Sequence, residues 1–230
     1  MVDRLRLVAI IPAYNEAASI ARVVEATLPF VDQVVVVDDG SHDDTVERAA
    51  RAGAFVLKQK VNSGKGAALE VGFAYALHGG FDAMVTLDAD GQHDPTRIPD
   101  LCTPIAAGAA DMSVGSRKRE WARRMPVLRR VTNAMMSWLL SAVAGQPMED
   151  TQSGFRCIGV RVARSVRVRA RHFEAESEFL IRAARVGFRI AWVPIPAIYG
   201  ADFRPSHIRP ARDFVRFLRM MTRILLERNA

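Results

Sequence analysis

The stretch QVVVVDDGS, residues 33–41, decides the fold class because its two halves have opposite characters. Four consecutive valines favour a strand that is buried on both faces, since β-branched residues fit a covered, pleated surface. The polar residues DDGS follow at once and mark the point where this strand ends. A strand covered on both faces is typical of a parallel sheet between two layers of helices, and such sheets bind ligands beyond the carboxyl ends of their strands.

The same alternation of strand and helix extends over the first hundred residues. Further apolar strands are predicted at 7–11, 54–57 and 83–87, and helices at 16–28, 44–52 and 64–77. This order implies βαβ units, and therefore an α/β fold with a mostly parallel sheet and helices on both faces. The polar sequences PAYNE, DDGS and DAD each follow a strand, so we expect them to meet at one edge of the sheet.

Two aspartates one residue apart, Asp88 and Asp90, follow the strand 83–87 in the sequence LDADGQHDP. Side chains at positions i and i+2 of a strand point the same way, so these two carboxylates would converge and repel each other unless a cation lies between them. Hard divalent cations prefer oxygen ligands, and Mg²⁺ commonly bridges protein carboxylates to phosphates. Taken alone, the pattern fits a solvated acidic turn as well as a site for a hard divalent cation, and the convergence of polar segments at one edge of the sheet favours the cation site.

The composition favours a single domain over residues 1–230. Half of the residues are hydrophobic, and no run of 18 uncharged apolar residues indicates a membrane-spanning helix. The amino terminus lacks a small-residue cleavage site, and two cysteines are too few for a disulfide framework, which together favour a cytoplasmic location. No Cys/His spacing indicates zinc, and no motif indicates nucleic-acid binding.

Charge divides the chain into two halves. Residues 1–100 carry 9 Lys and Arg against 15 Asp and Glu, a net charge of −6, whereas residues 101–230 carry 23 against 10, a net charge of +13. The acidic half suits a metal site. The basic half suits phosphate, nucleic acid or an anionic membrane surface.

The basic half contains two amphipathic segments. The elements predicted there are strands at 111–115 and 188–193 and helices at 127–144, 174–186 and 210–227. The helix 127–144 has an apolar stripe that includes Trp138, and the last helix has an aromatic and aliphatic face opposite Arg212, Arg216, Arg219 and Arg223. A basic amphipathic helix with aromatic residues can lie in a membrane interface. Packing against the core, a second subunit or a membrane-protein partner are the alternatives.

Seven short motifs occur in the order found in family 2 inverting glycosyltransferases, and the chain most resembles the dolichyl-phosphate mannose synthase-like branch. The motifs are PAYNE (12–16), DDGS (38–41), NSGKG (62–66), DADGQ (88–92), GSR (115–117), DTQSGFR (150–156) and SHIRP (206–210). The resemblance covers nearly the whole chain. It implies a GT-A fold, which is Rossmann-like, in a single domain whose residues 1–100 bind nucleotide and metal and whose residues 101–230 form the acceptor half.

The resemblance also implies a role for each matched position. Metal ligands for Mg²⁺ or Mn²⁺ would be Asp88, Asp90 and Gln92, and catalytic residues would be Asp150 and Arg117. The donor nucleotide would be bound by Pro12, Tyr14, Glu16, Val37, Asp39, Lys65, Asp88, Ala89, Asp90 and Arg117. Acceptor or phosphate contacts would come from Arg129, Arg130, Gly154, Arg156, Arg204 and His207. The chain departs from the mannose synthases at His207, where they carry lysine, which leaves both GDP-mannose and UDP-sugars open as donors.

The predicted reaction moves a sugar from a nucleotide diphosphate sugar to a polyprenyl or dolichyl-type lipid phosphate at the inner face of the membrane. A phosphate acceptor is already ionised and needs no general base, whereas a sugar or small-molecule hydroxyl acceptor would need one, for which Asp150 or Glu149 is the candidate. A more remote alternative is a non-catalytic basic protein that binds lipid or nucleic acid. That alternative leaves the acidic edge of the sheet without a purpose.

Overall fold

The computed structural model describes residues 4–117, 137–196, 198 and 210–227. Within these ranges the strands are β1 (Leu7–Ala13), β2 (Gln33–Asp38), β3 (Phe55–Lys58), β4 (Ala83–Thr86), β5 (Met112–Ser116), β6 (Arg156–Gly159) and β7 (Ile190–Pro194). They form one sheet in the order β3-β2-β1-β4-β6-β5-β7. Because β1 lies between β2 and β4, the polar segments that follow these three strands are neighbours in space.

The strand directions confirm the predicted mostly parallel sheet. Each of the recorded strand pairs is parallel except the two made by β6, which runs antiparallel to β4 and to β5. The sequence analysis does not predict β6, which begins at Arg156, the last residue of the polar DTQSGFR motif.

Helices cover both faces of the sheet. They are α1 (Ile20–Thr27), α2 (Thr45–Arg51), α3 (Lys65–His78), α4 (Ile98–Ala106), α5 (137–144), α6 (Val160–Ser165), α7 (Glu174–Arg185) and α8 (Pro210–Leu226). The four valines of β2 alternate between the two layers. Val34 and Val36 pack in the core on the side of α1 and α4, and Val35 and Val37 pack in the core on the side of α3, α6 and α7. Burial on both faces explains the continuous apolar character of this strand.

A third apolar cluster joins α5, α7 and α8, and it shows which apolar side chains of the amphipathic segments pack against the core. Met221 and Ile224 of α8 are buried in this cluster, so that part of the predicted apolar face packs on the protein core. In α5, Leu140 is fully buried, whereas Trp138 of the predicted stripe is 71% exposed. The stripe predicted for this helix is therefore rotated relative to the face that packs.

Polar contacts strengthen the attachment of α8. Glu178 of α7 is fully buried and accepts hydrogen bonds from Arg223 Nη2 at 2.9 Å and from Arg182 Nε at 2.8 Å. Arg182 also pairs with Glu227 at 2.7 Å. Arg223, which was predicted for the basic face, is thus committed to a buried carboxylate. Among the described residues, none of the helices combines the length and apolar character that a bilayer crossing requires.

Candidate active site

The loop after β1 is joined to the loop after β2 by three hydrogen bonds. Asn15 N donates to Ser41 Oγ at 2.9 Å, His42 N donates to Asn15 Oδ1 at 2.8 Å, and Glu16 N donates to Thr45 Oγ1 at 2.8 Å. Asn15 adopts a left-handed backbone conformation with φ of 56°, which asparagine tolerates better than most residues. These contacts place the PAYNE and DDGS motifs side by side, as the sequence predicts.

Asp39 organises the loop that precedes α3. Its carboxylate is 4% exposed and accepts hydrogen bonds from Ser63 N and Gly64 N, each at 2.8 Å. Gly64 has a φ of +98°, and a Cβ atom there would lie 2.3 Å from His172 Nδ1, so only glycine fits. The NSGKG motif is therefore held against the end of β2, and it brings Lys65 to the edge of the sheet.

Two other residues predicted for the donor site lie opposite each other in the sheet. Pro12 and Val37 are register partners between β1 and β2. The Val37 side chain is fully buried in the core, and Ala89 is 4% exposed. The side chain of Val37 is therefore not accessible to a ligand.

The centre of the site is an ion cluster made by Lys65, Asp88 and Glu176. Lys65 Nζ lies 2.5 Å from Asp88 Oδ1 and 3.1 Å from Glu176 Oε1. Gly154 closes one side, since a Cβ atom there would lie 3.0 Å from an atom of each of the three side chains. The Gly154 carbonyl accepts a hydrogen bond from Thr86 Oγ1 at 2.7 Å, which fixes this close approach.

The pKa values of Lys65 and Asp88 reflect this pairing. Burial alone would lower the pKa of Lys65, but Asp88 and Glu176 raise it above its ordinary value. Burial alone would raise the pKa of Asp88, but the positive charge of Lys65 holds it well below its ordinary range. Both groups are therefore charged at neutral pH, as an ion pair in a partly covered site requires.

The pKa of Asp90 is shifted in the opposite direction to that of Asp88. Partial burial, the negative charge of Asp88 and the negative charge of Glu16 raise the pKa of Asp90 to about 6. Its Oδ1 atom accepts a hydrogen bond from Gln92 N at 2.9 Å. When Asp90 is ionised, the neighbouring carboxylates repel it, and a bound cation would offset this repulsion. Such an arrangement suits a metal ligand.

These oxygen ligands suit a hard divalent cation that takes the rest of its ligands from a bound substrate. Asp88 and Asp90 bring carboxylates to one turn, and Gln92, whose backbone N–H donates to Asp90 Oδ1, follows in the same segment. Within the ranges that the structure describes, no group of three or more His, Cys, Asp or Glu side chains forms a metal cage. Mg²⁺ is commonly bound by one or two carboxylates together with substrate phosphates, so two carboxylates suffice when a diphosphate completes the shell.

Asp150 is not exposed as a general base would be. It is 1% exposed, and both of its oxygens accept hydrogen bonds from Arg117, at 2.8 Å from Nε and 3.1 Å from Nη2. Arg117 N also donates to the same carboxylate at 3.2 Å. Glu149, the other candidate, accepts a hydrogen bond from Ser116 Oγ at 2.9 Å. The structure thus brings the two predicted catalytic residues, Asp150 and Arg117, together as a bidentate ion pair.

The Arg156 side chain, which is predicted to contact the acceptor, is buried and bonded to the protein backbone. It is 2% exposed, and its three nitrogens donate to the carbonyl oxygens of Ser153 at 2.7 Å, Glu176 at 2.8 Å and Thr151 at 3.0 Å. Burial lowers the pKa of Arg156, and nearby carboxylates, led by Glu176, oppose that effect. In this arrangement Arg156 holds the loop that carries Gly154. The remaining predicted acceptor residues, Arg129, Arg130, Arg204 and His207, lie outside the described residues.

Two residues of the site were not predicted from the sequence. Glu176 contacts Lys65 from the first turn of α7, and no local motif marks it. His93 accepts a hydrogen bond from Asp88 N at 3.0 Å and stacks on Phe155 at a centroid distance of 5.1 Å. Burial lowers the pKa of His93 to about 4, so the ring is neutral at physiological pH. The sequence could have indicated His93 through its place in GQHDP (91–95), directly after Asp88 and Asp90.

The fold and the site together define a class of enzyme. A mostly parallel sheet covered on both faces, with acidic loops after β1, β2 and β4, is the arrangement of GT-A glycosyltransferases. Residues 8–164 match the family model described as Glycosyl transferase family 2. The chain belongs to this family and is a glycosyltransferase of the inverting type.

Several relatives have names that state an activity. An undecaprenyl-phosphate mannosyltransferase from Micrococcus luteus is 30% identical over 203 residues, which span 83% of this chain and 83% of the relative. A UDP-N-acetylglucosamine–dolichyl-phosphate N-acetylglucosaminyltransferase from Methanococcus voltae is 33% identical over 222 residues, or 86% of this chain and 88% of the relative. Among solved structures, glucosyl-3-phosphoglycerate synthase from Mycobacterium tuberculosis with Mg²⁺ and UDP has a TM-score of 0.73 and 26% identity, over 97% of this chain and 79% of that one.

Proposed function

We propose that this protein transfers a sugar from a nucleotide diphosphate sugar to a polyprenyl-type lipid phosphate, with Mg²⁺ or Mn²⁺ at Asp88 and Asp90. The observation that carries the choice of acceptor is the buried Asp150 carboxylate, which Arg117 binds through both oxygens. A carboxylate held in this way is a poor base for a hydroxyl. A phosphate monoester is ionised at neutral pH and attacks without a base. The names of the mannosyl- and N-acetylglucosaminyltransferase relatives support the same acceptor class.

The proposed roles follow from the charge that the reaction creates. Departure of a nucleoside diphosphate leaves negative charge on the leaving oxygen, so the site needs positive charge more than proton transfer. A divalent metal, when bound, supplies part of this charge as a Lewis acid. Lys65 adds a second cation beside Asp88. Asp39 and Glu16, which follow β2 and β1, hold the nucleoside at the neighbouring part of the edge.

A second candidate function is transfer to a small soluble acceptor. The structural likeness to glucosyl-3-phosphoglycerate synthase, whose complexes include phosphoglyceric acid and UDP-glucose, favours this candidate. The reaction would require a base. Asp150 fills that role only if Arg117 releases at least one of its oxygens in the substrate complex.

An acceptor panel separates the two functions. We expect purified protein with Mn²⁺ or Mg²⁺ to transfer sugar from GDP-mannose or a UDP-sugar to undecaprenyl or dolichyl phosphate, and to lose this activity in EDTA. Mass spectrometry of the lipid fraction would detect the product. Transfer to phosphoglyceric acid or a free sugar, without any lipid product, would contradict the proposal and establish the second candidate.

A lipid acceptor requires contact with a membrane, and we propose that the outer face of α8 makes it on the inner leaflet. Val215, Leu218 and Leu225 are each 45–46% exposed there, and Leu226 is 80% exposed. Arg219 is also exposed on this helix. Apolar side chains flanked by arginine suit an anionic lipid surface, where each cation contributes roughly 1 kcal/mol.

Replacing Leu226 with aspartate should weaken binding to anionic liposomes by roughly tenfold, because an exposed apolar contact becomes a like-charge repulsion. Co-sedimentation with liposomes that contain phosphatidylglycerol would measure this loss, and high salt should weaken wild-type binding as well. Val71→Asp is the matched control, since Val71 is an exposed apolar residue on α3. If both variants bind as wild type does, α8 does not form the membrane contact. A loss of self-association in Leu226→Asp would instead indicate an interface between subunits.

A further inference from the structure

Lys65 is paired with Asp88, which is one of the proposed metal ligands. Its Nζ atom lies 2.5 Å from Asp88 Oδ1, within a site where the Lys65 side chain is 15% exposed and the Asp88 side chain is 31% exposed. Glu176, with a side chain 8% exposed, holds the same ammonium from the other side at 3.1 Å. The Lys65 ammonium is thus shared by the carboxylates of Asp88 and Glu176, of which only Asp88 belongs to the proposed metal site.

The backbone next to Lys65 is packed against the start of α7. Lys65 begins α3, and the next residue, Gly66, donates its N–H to Arg171 O at 2.8 Å. A Cβ atom at Gly66 would lie 2.6 Å from Ala175 Cβ, so this turn is packed directly against the start of α7. Glu176 is carried by that same helix. The Lys65–Glu176 contact therefore joins two rigid elements, whereas Asp88 lies on the loop after β4.

We propose that Lys65 is an internal counter-ion of Asp88, and that Glu176 is the positioning residue that retains the ammonium when Asp88 exchanges it for a divalent cation. This inference rests on the proposed function. In the exchange, Asp88 turns from Lys65 to the cation, and Lys65 remains on Glu176 and pairs with the donor's diphosphate. No bond is broken and no proton moves.

The charges of the site support the exchange. Asp88, Asp90, Glu16 and Glu176 bring four carboxylates together, which would repel a diphosphate if nothing offset them. Lys65 offsets part of this charge before the donor arrives. It also competes with any cation for Asp88. The cation should therefore bind weakly by itself and more tightly with a nucleoside diphosphate, because the diphosphate draws Lys65 away from Asp88.

The test compares binding of Mn²⁺ alone with binding of UDP or GDP in the presence of Mn²⁺. Lys65→Met should tighten Mn²⁺ binding by roughly fivefold, because the competing ammonium is gone. The same variant should bind the nucleoside diphosphate more weakly. Glu176→Gln should weaken Mn²⁺ binding, because Lys65 is then left to Asp88. Electron paramagnetic resonance of free Mn²⁺ and calorimetry of the nucleotides would measure these affinities, and thermal unfolding would establish that each variant is folded.

Arg22→Met is the matched control for a general effect of charge. Arg22 lies next to the metal turn, since a Cβ atom at Gly91 would lie 2.9 Å from its Nη2 atom. The variant removes one positive charge and should leave Mn²⁺ affinity within about twofold of wild type, as expected for an exposed charge that solvent and salt screen. An equal gain in Lys65→Met and Arg22→Met, or weaker Mn²⁺ binding in folded Lys65→Met, would overturn the inference. Failure of the wild type to bind any nucleotide with Mn²⁺ would overturn the proposed function itself.

Discussion

Asp90→Ala is expected to abolish metal-dependent nucleotide binding and to reduce sugar transfer by roughly 100-fold or more, the loss typical of removing one stabiliser of transition-state charge. Asp90 lies beside Asp88, and its pKa is raised to about 6 by partial desolvation and by the charges of Asp88 and Glu16. Its ionised form is therefore unfavourable until a cation arrives. Calorimetry with UDP or GDP, with and without Mn²⁺, would measure the loss.

The same variant should keep or gain thermal stability in the absence of metal. A carboxyl group whose pKa is raised on folding stabilises the protein fully below its unfolded pKa and loses that contribution as the pH rises through about 6. At pH 7.5 the ionised Asp90 thus opposes folding, and alanine removes that effect. Among the described residues, the variant loses one hydrogen bond to the Asp90 side chain, the bond from Gln92 N.

Asp100→Ala is the control for the first prediction. Asp100 is an acidic residue of α4 in an exposed pair with Arg97, and its loss should change neither nucleotide binding nor transfer. An Asp90→Ala protein that still binds nucleotide as tightly as wild type in Mn²⁺ would remove Asp90 from the metal site. A lower melting temperature without metal would show that its carboxylate stabilises the fold.

The sequence predicts the sheet and its acidic edge because both follow from local pattern. Four valines in a row need cover on two faces, and Val34 and Val35 pack into opposite cores as that pattern requires. Asp39 and Asp88 follow parallel neighbours of β1, so their proximity follows from strand order. The order of the strands is therefore enough to predict that Asp39 and Asp88 are close, even when their contacts are unknown.

The contacts that define the site could not be predicted in this way, since they join distant parts of the chain. Lys65 meets Glu176 across two helices, and nothing near Glu176 in the sequence marks it. Asp150 and Arg117 were predicted as catalytic residues, but the sequence does not reveal that they bind each other. The amphipathic pattern of α8 has the same period whether its apolar face meets the core or a membrane, so Met221 needed a structure to be assigned to the core.

Arg156→Ala is expected to lower the free energy of unfolding by about 3–5 kcal/mol, because it leaves buried carbonyl oxygens without donors and buried carboxylates without a nearby cation. The three carbonyls belong to Ser153, Glu176 and Thr151, so the loop that carries Gly154 should also lose its position. Urea denaturation would measure the destabilisation. Arg156→Lys should recover only part of it, since one ammonium cannot reproduce the planar fork of a guanidinium.

Arg164→Ala is the matched control, because Arg164 is an exposed arginine on α6 and its loss should change stability by no more than about 0.5 kcal/mol. The Arg156 variants also decide between the structural role and the acceptor role predicted from the sequence. A structural role predicts that the loss of stability accompanies weaker nucleotide binding, because Gly154 lies against Lys65 and Asp88. Wild-type stability in Arg156→Ala, with a raised KM for the acceptor alone, would return Arg156 to the acceptor site.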